Sequence, residues 1–330
     1  MKEEGEFWMS KNNSLLKTVK RTLLNNLILV ILFVMLLVGA LFTDSFATKA
    51  NLMNVIRQVS INGVLASGFT FVLLAGGFDL SLGAIVSACA VMVSGVLNQT
   101  GSIFQAVAWA LFVGAVFGLL NGLLITLIRG DESDSFLVTL GTYLIASGVA
   151  YTYSDGYIIY IDTAYKAFRQ IAKGTTFGIP NLVVIMLSVM IVFQFILKKT
   201  AFGRKFFMVG GNKVASYISG INSHRIITAS FVISGICAGL AGIMMAARTG
   251  GAGPMVGVGA EIDASVAAIV GGTRAGRSSS SIFKTLIGVL IFGLISNIMN
   301  LMGFDSTMQK IAKGIILLIA LYSDGFRKES

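Results

Sequence analysis

The sequence predicts an all-α integral membrane protein with inverted repeats and broken helices. Hydrophobic residues make up 55% of the chain, charged residues only 12%, and the mean hydropathy is +0.84. A soluble domain carries roughly twice that charged fraction, about 25%. In addition, about ten apolar segments recur along the chain, most of them close to the roughly 20 residues that a helix needs to cross a bilayer.

The predicted spans follow one another with short polar loops between them. They lie at 23–42, 59–77, 80–97, 104–128, 136–154, 180–198, 224–247, 261–273, 284–301 and 308–323. The eighth is too short to cross the membrane directly. We expect it to begin or end partway, where irregular backbone must face protein or water rather than lipid.

Basic residues set the predicted orientation. The net charge is +10, and the densest basic cluster lies in the loop after the sixth span, at 198–225, which an inside N-terminus places in the cytoplasm. The predicted organisation is a cytoplasmic segment at 1–22, a transmembrane domain at 23–323 with a cytoplasmic loop at 200–223, and a cytoplasmic tail at 324–330. The loop 155–179 is basic but predicted to lie outside, with room for a short helix. Basic residues are not interleaved with exposed aromatics, which argues against nucleic-acid binding.

Several kinds of chemistry have no support in the sequence. The two cysteines, Cys89 and Cys237, lie in apolar runs without metal-ligand spacing, and we interpret them as small buried residues. His224 is the single histidine, and no Ser/His/Asp grouping is present. The phosphate-binding pattern G-x-x-x-x-G-K-[ST] is also missing. We therefore predict no catalytic residues, no metal site and no ATP site in this chain.

Glycine-rich joints interrupt both halves of the chain. Ala75–Asp79 breaks the first half, and Gly250–Pro254 and Gly271–Gly276 break the second. Broken helices at corresponding positions are typical of internal repeats around a transport path. Spans two to five and seven to ten form the predicted repeats, and they are inverted because five spans separate them.

Acidic residues beside the joints have two possible roles. A carboxylate such as Asp79 inside an apolar stretch costs about 2.5–3.5 kcal/mol near the bilayer centre, so something must offset that cost. Asp79 and Ser81 either cap the third span or line the permeation path, and the same holds for Glu261 and Asp263 at the eighth. Asp131, in contrast, is interpreted as a residue of a short solvated loop.

Polar residues within the spans are the other candidates for contacting a hydroxylated solute. Each is alternatively an interhelical hydrogen bond. With the acids, the candidates are Asn62, Asp79, Ser81, Asn121, Thr139, Asp263, Asn297 and Asn300.

The cytoplasmic loop contains a short predicted helix between Asn212, a good N-cap, and Gly220, a good helix stop. Lipid does not explain the apolar residues of this helix. It either packs on its own bundle or docks into a partner's groove. Val214, Tyr217 and Ile218 are expected to face outward and Ala215, Ser216 and Ser219 to face the bundle. Gly210 and Gly211 are expected to allow a sharp entry into the helix.

Five motifs carry a resemblance to a known family. They are GGFDLSLG at 76–83, FLVTLGT at 136–142, GRKFFMVGGNKVASYISGI at 203–221, EIDASVAAIVGGT at 261–273 and QKIAKGIILLIAL at 309–321. Together they resemble the permeases of ribose- and galactose-type ABC importers, over nearly the whole chain. The chain departs from the family at Asp134–Ser135, where a proline usually precedes Phe136, and at Gly276–Ser281, where more glycines usually follow Gly272.

The resemblance implies a ten-span fold like that of cobalamin-type importer permeases, located in the cytoplasmic (inner) membrane. It implies a second permease copy or paralogue, ABC ATPase subunits that bind ATP-Mg, and an extracytoplasmic sugar-binding protein. It assigns ATPase coupling to residues of the loop, namely Gly203, Arg204, Gly210, Gly211, Asn212, Val214, Ala215, Tyr217, Ile218, Ser219, Gly220 and Ile221. The predicted function is the translocation path for a monosaccharide. A branched-chain amino acid permease and an ion-coupled secondary transporter remain alternatives.

Overall fold

The computed structural model describes residues 27–326 and is built almost entirely of α-helices. The helices are α1 Leu27–Phe42, α2 Lys49–Leu74, α3 Leu82–Thr100, α4 Ile103–Leu127, α5 Glu132–Ser154, α6 Lys166–Lys173, α7 Asn181–Lys199, α8 Ala201–Gly211, α9 Lys213–Ile218, α10 Ser223–Thr249, α11 Ala260–Val270, α12 Ile282–Leu301 and α13 Ser306–Phe326. Four two-residue strands are β1 Ile159–Tyr160, β2 Thr175–Thr176, β3 Ile179–Pro180 and β4 Gly251–Ala252.

Each of the ten predicted spans coincides with a helix. Within residues 27–326, seven helices are long and apolar enough to cross a membrane: α2, α3, α4, α5, α7, α10 and α12. The second span is longer than predicted, because α2 starts at Lys49 rather than at 59. The first turns of α2 are polar, and the continuous apolar stretch begins only ten residues later. The apolar pattern therefore did not predict where the helix starts. The prediction of an all-α membrane protein is therefore confirmed, and α11 is short, as expected.

α10 lies at the centre of the bundle and packs against α2, α3 and α4. Its contact with α4 is a backbone-to-backbone approach. A Cβ added at Gly114, Gly118 or Gly122 of α4 would collide with the backbone of α10. Small residues let membrane helices approach each other this closely. Because lipid tails are as apolar as the helix surface, helices in a membrane associate through van der Waals packing rather than through the hydrophobic effect.

The first break separates α2 from α3. α2 ends at Leu74, and Gly76 adopts a left-handed conformation with φ of +80°. The amide of Gly77 still donates to the carbonyl of Val72, which closes the helix end. The chain then runs without helical structure until α3 begins at Leu82.

The second break separates α10 from α11. α10 ends at Thr249. Gly250, at φ +78°, caps the helix, and its backbone amide donates a hydrogen bond to the carbonyl of Ala246. β4 then pairs antiparallel with β1. Gly259 at φ +90° precedes α11, which is only 11 residues long.

The helices terminate at two opposite ends of the molecule, one marked by β1 and β4 and the other by α9. At the β1–β4 end, α6 fulfils the prediction of a short helix within 155–179. At the α9 end, the loop around Gly276 meets α8, and the amide of Gly276 donates to the carbonyl of Leu74 at 3.3 Å. Cys89 and Cys237 are free and buried, as predicted.

Candidate functional site

A buried polar network surrounds Asp79 at the first break. One carboxylate oxygen accepts from the amide and the hydroxyl of Ser81, at 3.0 and 2.6 Å, and the other accepts from Ser234 of α10 at 3.1 Å. Asn121 of α4 donates to the Ser81 hydroxyl at 2.8 Å. All four residues are at most 1% exposed. The network therefore joins α3, α4 and α10 through one carboxylate.

α5 supplies hydrogen-bond partners to the non-helical backbone of the break. The amide of Phe78 donates to the hydroxyl of Ser135 at 2.9 Å, and the amide of Leu80 donates to Thr139 at 3.1 Å. Unpaired backbone groups are costly in a membrane, so irregular backbone needs such partners. Ser135 stands where the resembled family usually has proline, and the departure thus provides a hydroxyl for Phe78.

The positions of these side chains bear on the two roles proposed for Asp79 and Ser81. Ser81 is the N-cap residue of α3 but makes no side-chain capping bond, whereas the Asp79 carboxylate accepts the Ser81 amide. Ser234 lies 11 residues into α10, about 16 Å along the helix at 1.5 Å per residue. Asp79 therefore supports a helix start deep within the bundle. Its role in the path, and those of Ser81, Asn121 and Thr139, stay predictions.

Asp131 lies in the short exposed loop between α4 and α5, as interpreted above, and it is also the N-cap of α5. Its carboxylate accepts from the amides of Ser133 and Asp134, and Asp134 accepts from the amide of Asp131. This reciprocal capping box fixes where α5 begins.

Glu261 occupies the second break, where the starts of α11 and α3 meet. Its carboxylate accepts from the amide of Gly259, and the amide of Gly257 donates to Ser87 of α3 at 2.9 Å. A Cβ at Gly83, in the first turn of α3, would collide with the Glu261 carboxylate and the Gly257 carbonyl. An acid here is favoured because helix N-termini carry partial positive charge. Sequence analysis identified Glu261 as a cap but missed this contact with α3.

The other path candidates have separate environments. Asp263 forms an ion pair with Lys313 of α13 at 2.7 Å. Asn297 and Asn51 exchange hydrogen bonds of 2.7 and 3.0 Å, the interhelical arrangement considered for such residues. Asn62 is half-buried and Asn300 is exposed. The structure therefore does not bring the eight candidates together, and it adds Ser234 and Lys313, which no sequence signal singled out.

The predicted coupling loop forms α8 and α9. A Cβ at Gly203 would strike the backbone of α7, and one at Gly210 would strike the Leu74 carbonyl and the Gly276 amide. The expectation that Gly210 and Gly211 allow a sharp turn was wrong. Both lie in α8, and the chain turns at Asn212 instead. Close backbone packing requires glycine at Gly210, whereas a Cβ at Gly211 would make only ordinary contacts.

α9 forms where the sequence predicted it. Asn212 caps it by accepting from the amide of Ala215 at 2.9 Å, and Gly220 ends it at φ +76°. Three apolar side chains are open to solvent. They are Val214, Tyr217 and Ile218, exposed by 69%, 78% and 80%.

The expected bundle-facing side of α9 is only partly correct. Ser216 is buried, but Ala215 and Ser219 are exposed. α9 has only six residues. One position per turn packs against its neighbours, and the other faces of the helix project away from the bundle. Arg204 is also exposed, whereas Ile221 is half-buried beside a cavity of about 800 Å³.

Comparison with known proteins identifies this architecture. Residues 51–321 match the family model described as branched-chain amino acid transport system / permease component. This chain belongs to that permease family. The matched region includes the breaks at Asp79 and Glu261 as well as α8 and α9.

Curated relatives of the permease are sugar transport proteins by name. The ribose import permease protein of Bacillus subtilis is 37% identical over 91% of both chains. That of Haemophilus influenzae is 32% identical over 96% of this chain and 98% of the relative. The L-arabinose transport system permease protein of Escherichia coli is 31% identical, over 92% and 90%. No solved structure matches significantly.

Proposed function

We propose that this permease is the membrane subunit of an ATP-driven importer and forms the translocation path for a monosaccharide or a related small hydroxylated solute. The named relatives transport ribose and L-arabinose, and a further one, 33% identical, is the D-allose permease of Escherichia coli. These matches cover 87–92% of the chain, and they favour sugar over the amino acid in the family's description.

The main observation in support of a translocation path formed with this subunit is the exposed face of α5. Among the seven long apolar helices, α2 and α5 are the least apolar. α2 is mostly buried within the protein, but α5 is mostly exposed. The hydroxyl residues that lower the hydropathy of α5 are mostly buried, whereas its exposed side carries large apolar side chains such as Leu137, Leu144 and Ile145 with glycines between them. An exposed apolar face with small-residue gaps suits packing against a helix of a second subunit.

The composition of that face supports the same proposal. Gly141 and Gly148 lie on it with open space where a side chain would be, and Thr152 is exposed one turn further along. Small residues allow close approach of another helix, and hydroxyls hydrogen-bond a hydroxylated solute. We place a second permease copy or paralogue against this face, with the path between the two subunits.

Ten crossings with both termini in the cytoplasm complete the proposed architecture. α1, α11 and α13 join the seven long helices, α11 as the half-helix that follows the second break. α2–α5 and α10–α13 form two inverted repeats, each interrupted after its first helix, as in cobalamin-type importer permeases. The proposed domains are the cytoplasmic segment 1–22, the transmembrane domain 23–323 with its loop 200–223, and the tail 324–330. The segment 1–22 and the end of the tail lie outside the described residues.

Coupling to ATP hydrolysis is assigned to α9. Its exposed Val214, Tyr217 and Ile218 lie at one end of the bundle, where positive charge is concentrated. Burying such side chains in a partner's groove contributes about 1.5–3 kcal/mol each. The ATPase partner would hold ATP-Mg, and an extracytoplasmic sugar-binding protein would deliver solute at the β1–β4 end.

An ion-coupled transporter is the weaker alternative. It needs acids that exchange protons or ions along the path. Asp263 is engaged by Lys313, and Asp79 is enclosed by three hydrogen-bond donors. Neither arrangement favours exchange with solvent.

Reconstitution tests the proposal. The permease, its ATPase and its binding protein are placed in proteoliposomes, and uptake of D-ribose, L-arabinose, D-allose and L-leucine is measured with ATP inside. We expect uptake of at least one sugar that requires ATP and ignores ion gradients. Uptake of leucine alone would support the amino acid permease, and uptake driven by a proton or sodium gradient without ATP would support the secondary transporter.

A further inference from the structure

A cavity of about 800 Å³ lies beside α9, between the end of α4 and the start of α10. Its cationic lining residues are Arg129 and Lys213, whose Nζ donates to the carbonyl of Gly130 at 2.9 Å, and the imidazole of His224 also lines it. Its remaining wall is apolar and includes Ile125 and Ile227. The volume is in the range of small-molecule sites, which span about 300–1,000 Å³.

Arg129 has an unusual place in this cavity. It adopts φ of +56° just after α4, a position that glycine normally fills. A cation near a helix C-terminus is favourable, which explains the charge but not the strained backbone. Across residues 27–326 the guanidinium has no ion pair or hydrogen bond. The nearby Asp131 carboxylate forms no ion pair with Arg129 and instead accepts the amides of Ser133 and Asp134.

The cavity wall also holds an unsatisfied hydroxyl. The Ser223 Oγ at the start of α10 is buried and has no hydrogen-bond partner among the described residues. Asn222 already caps that helix through the amide of Arg225. Buried polar atoms in native proteins rarely lack partners, and Ser223 is one of the residues that line the cavity. A helix N-terminus with cations beside it favours an anion.

We propose that this cavity binds the phosphate headgroup of an anionic phospholipid. The apolar wall continues onto the surface of α4, where Leu124, Leu127 and Ile128 are exposed at the same end of the bundle. A free anion would leave that wall unused, and a single carboxylate side chain would leave most of the volume empty. Basic pockets between membrane helices bind lipid headgroups in this way. Because Tyr217 of α9 also lines the cavity, a bound lipid would lie against the proposed ATPase contact.

Lipid binding to the purified full-length permease tests this inference without any transport assay, so it stands or fails independently of the proposed function. The probes are dioleoylphosphatidylglycerol, dioleoylphosphatidylcholine with the same acyl chains, and inorganic phosphate, each followed by native mass spectrometry. We expect the anionic lipid to bind about tenfold more tightly than the zwitterionic one, the equivalent of one charge-assisted hydrogen bond.

The variants are Arg129→Gly, which also suits the positive φ and should fold at least as well, and Lys213→Gln. Either should remove most of the preference for the anionic lipid, and Arg225→Gln, an exposed cation outside the cavity, should leave it unchanged. Equal binding of both lipids, or an unchanged preference in both cavity variants, would overturn the proposal. So would displacement of the lipid by micromolar phosphate. Loss of ATPase co-purification in both variants with lipid preference intact would assign the cavity to the ATPase instead.

Discussion

The Asp79 carboxylate accepts a 3.1 Å hydrogen bond from the hydroxyl of Ser234, 155 residues further along the chain. The bond joins the first break to the central helix α10, the element through which the two halves of the chain are packed together. Asp79 also accepts both polar hydrogens of Ser81. A single buried side chain thus fixes where α3 begins relative to α10.

Replacing Asp79 with alanine is expected to destabilise the permease strongly. Each buried polar group left without a partner costs about 1–3 kcal/mol, and this change affects Ser81 and Ser234 together. The measurement is the melting temperature of the detergent-purified protein, with its level in the membrane. Asp131→Ala should lose less, about 1 kcal/mol for one N-cap, and the exposed Glu132→Ala should stay near wild type. Equal losses for Asp79→Ala and Glu132→Ala would contradict the role assigned to the network.

Gly210→Ala is expected to disrupt the packing of α8, part of the proposed coupling loop, against the backbone at Leu74 and Gly276. The new Cβ would meet the Leu74 carbonyl and the Gly276 amide, which are backbone atoms and cannot rotate away. Overpacking of this kind costs about 1–3 kcal/mol. Gly314→Ala is the matched control, because Gly314 also lies in a helix but has open space around its Cα. A melting temperature for Gly210→Ala as high as that of the control would show that α8 can shift without cost.

Changes on α9 should uncouple the ATPase without unfolding the permease. Ala215→Arg adds bulk and charge at an exposed position, and a Tyr217→Ser, Ile218→Ser double variant removes the apolar contacts. We expect both to reduce co-purification of the ATPase at least tenfold, with an unchanged melting temperature. Phe177→Ser, which replaces a fully exposed aromatic at the β1–β4 end, is the control. Full ATPase retention in both α9 variants would mean that the partner docks elsewhere.

Cysteine labelling checks the orientation of the bundle. The native Cys89 and Cys237 are buried and should give little background. Phe177→Cys should react with an impermeant maleimide in intact cells, whereas Ser219→Cys, and cysteines at positions 10 and 330, should react only after permeabilisation. Reaction of Ser219→Cys in intact cells would reverse the predicted topology.

The ion pair between Asp263 and Lys313 is expected to hold α13 against the half-helix α11. Both side chains are about one-fifth exposed or less, so removing either leaves a poorly hydrated charge behind. Lys313→Met and Asp263→Asn should each lower stability, by up to about 3–5 kcal/mol if the remaining charge stays buried. The exchange variant Asp263→Lys with Lys313→Asp should recover a large part of the loss. The readout is thermal melting, and no recovery in the exchange variant would argue that local geometry rather than pairing is important.

The sequence by itself determined the fold class and nearly every helix. Long apolar segments, caps such as Asn212 and helix stops such as Gly220 act over a few residues, so their physics is visible in the chain. The same locality explains the prediction of the short α11 and of the exposed apolar residues on α9. The motifs at 76–83 and 203–221 also identified the permease family.

Only the tertiary structure decided which residues meet. Ser234 and Lys313 look unremarkable in the sequence, because their importance comes from carboxylates 155 and 50 residues away. The roles of Gly83 and Gly210 were likewise hidden, since glycine serves turns and close packing equally well. The capping role of Asp131 was not predicted either, because it depends on where α5 begins. Long-range contacts follow from how the helices pack, and that packing cannot be predicted from short stretches of sequence.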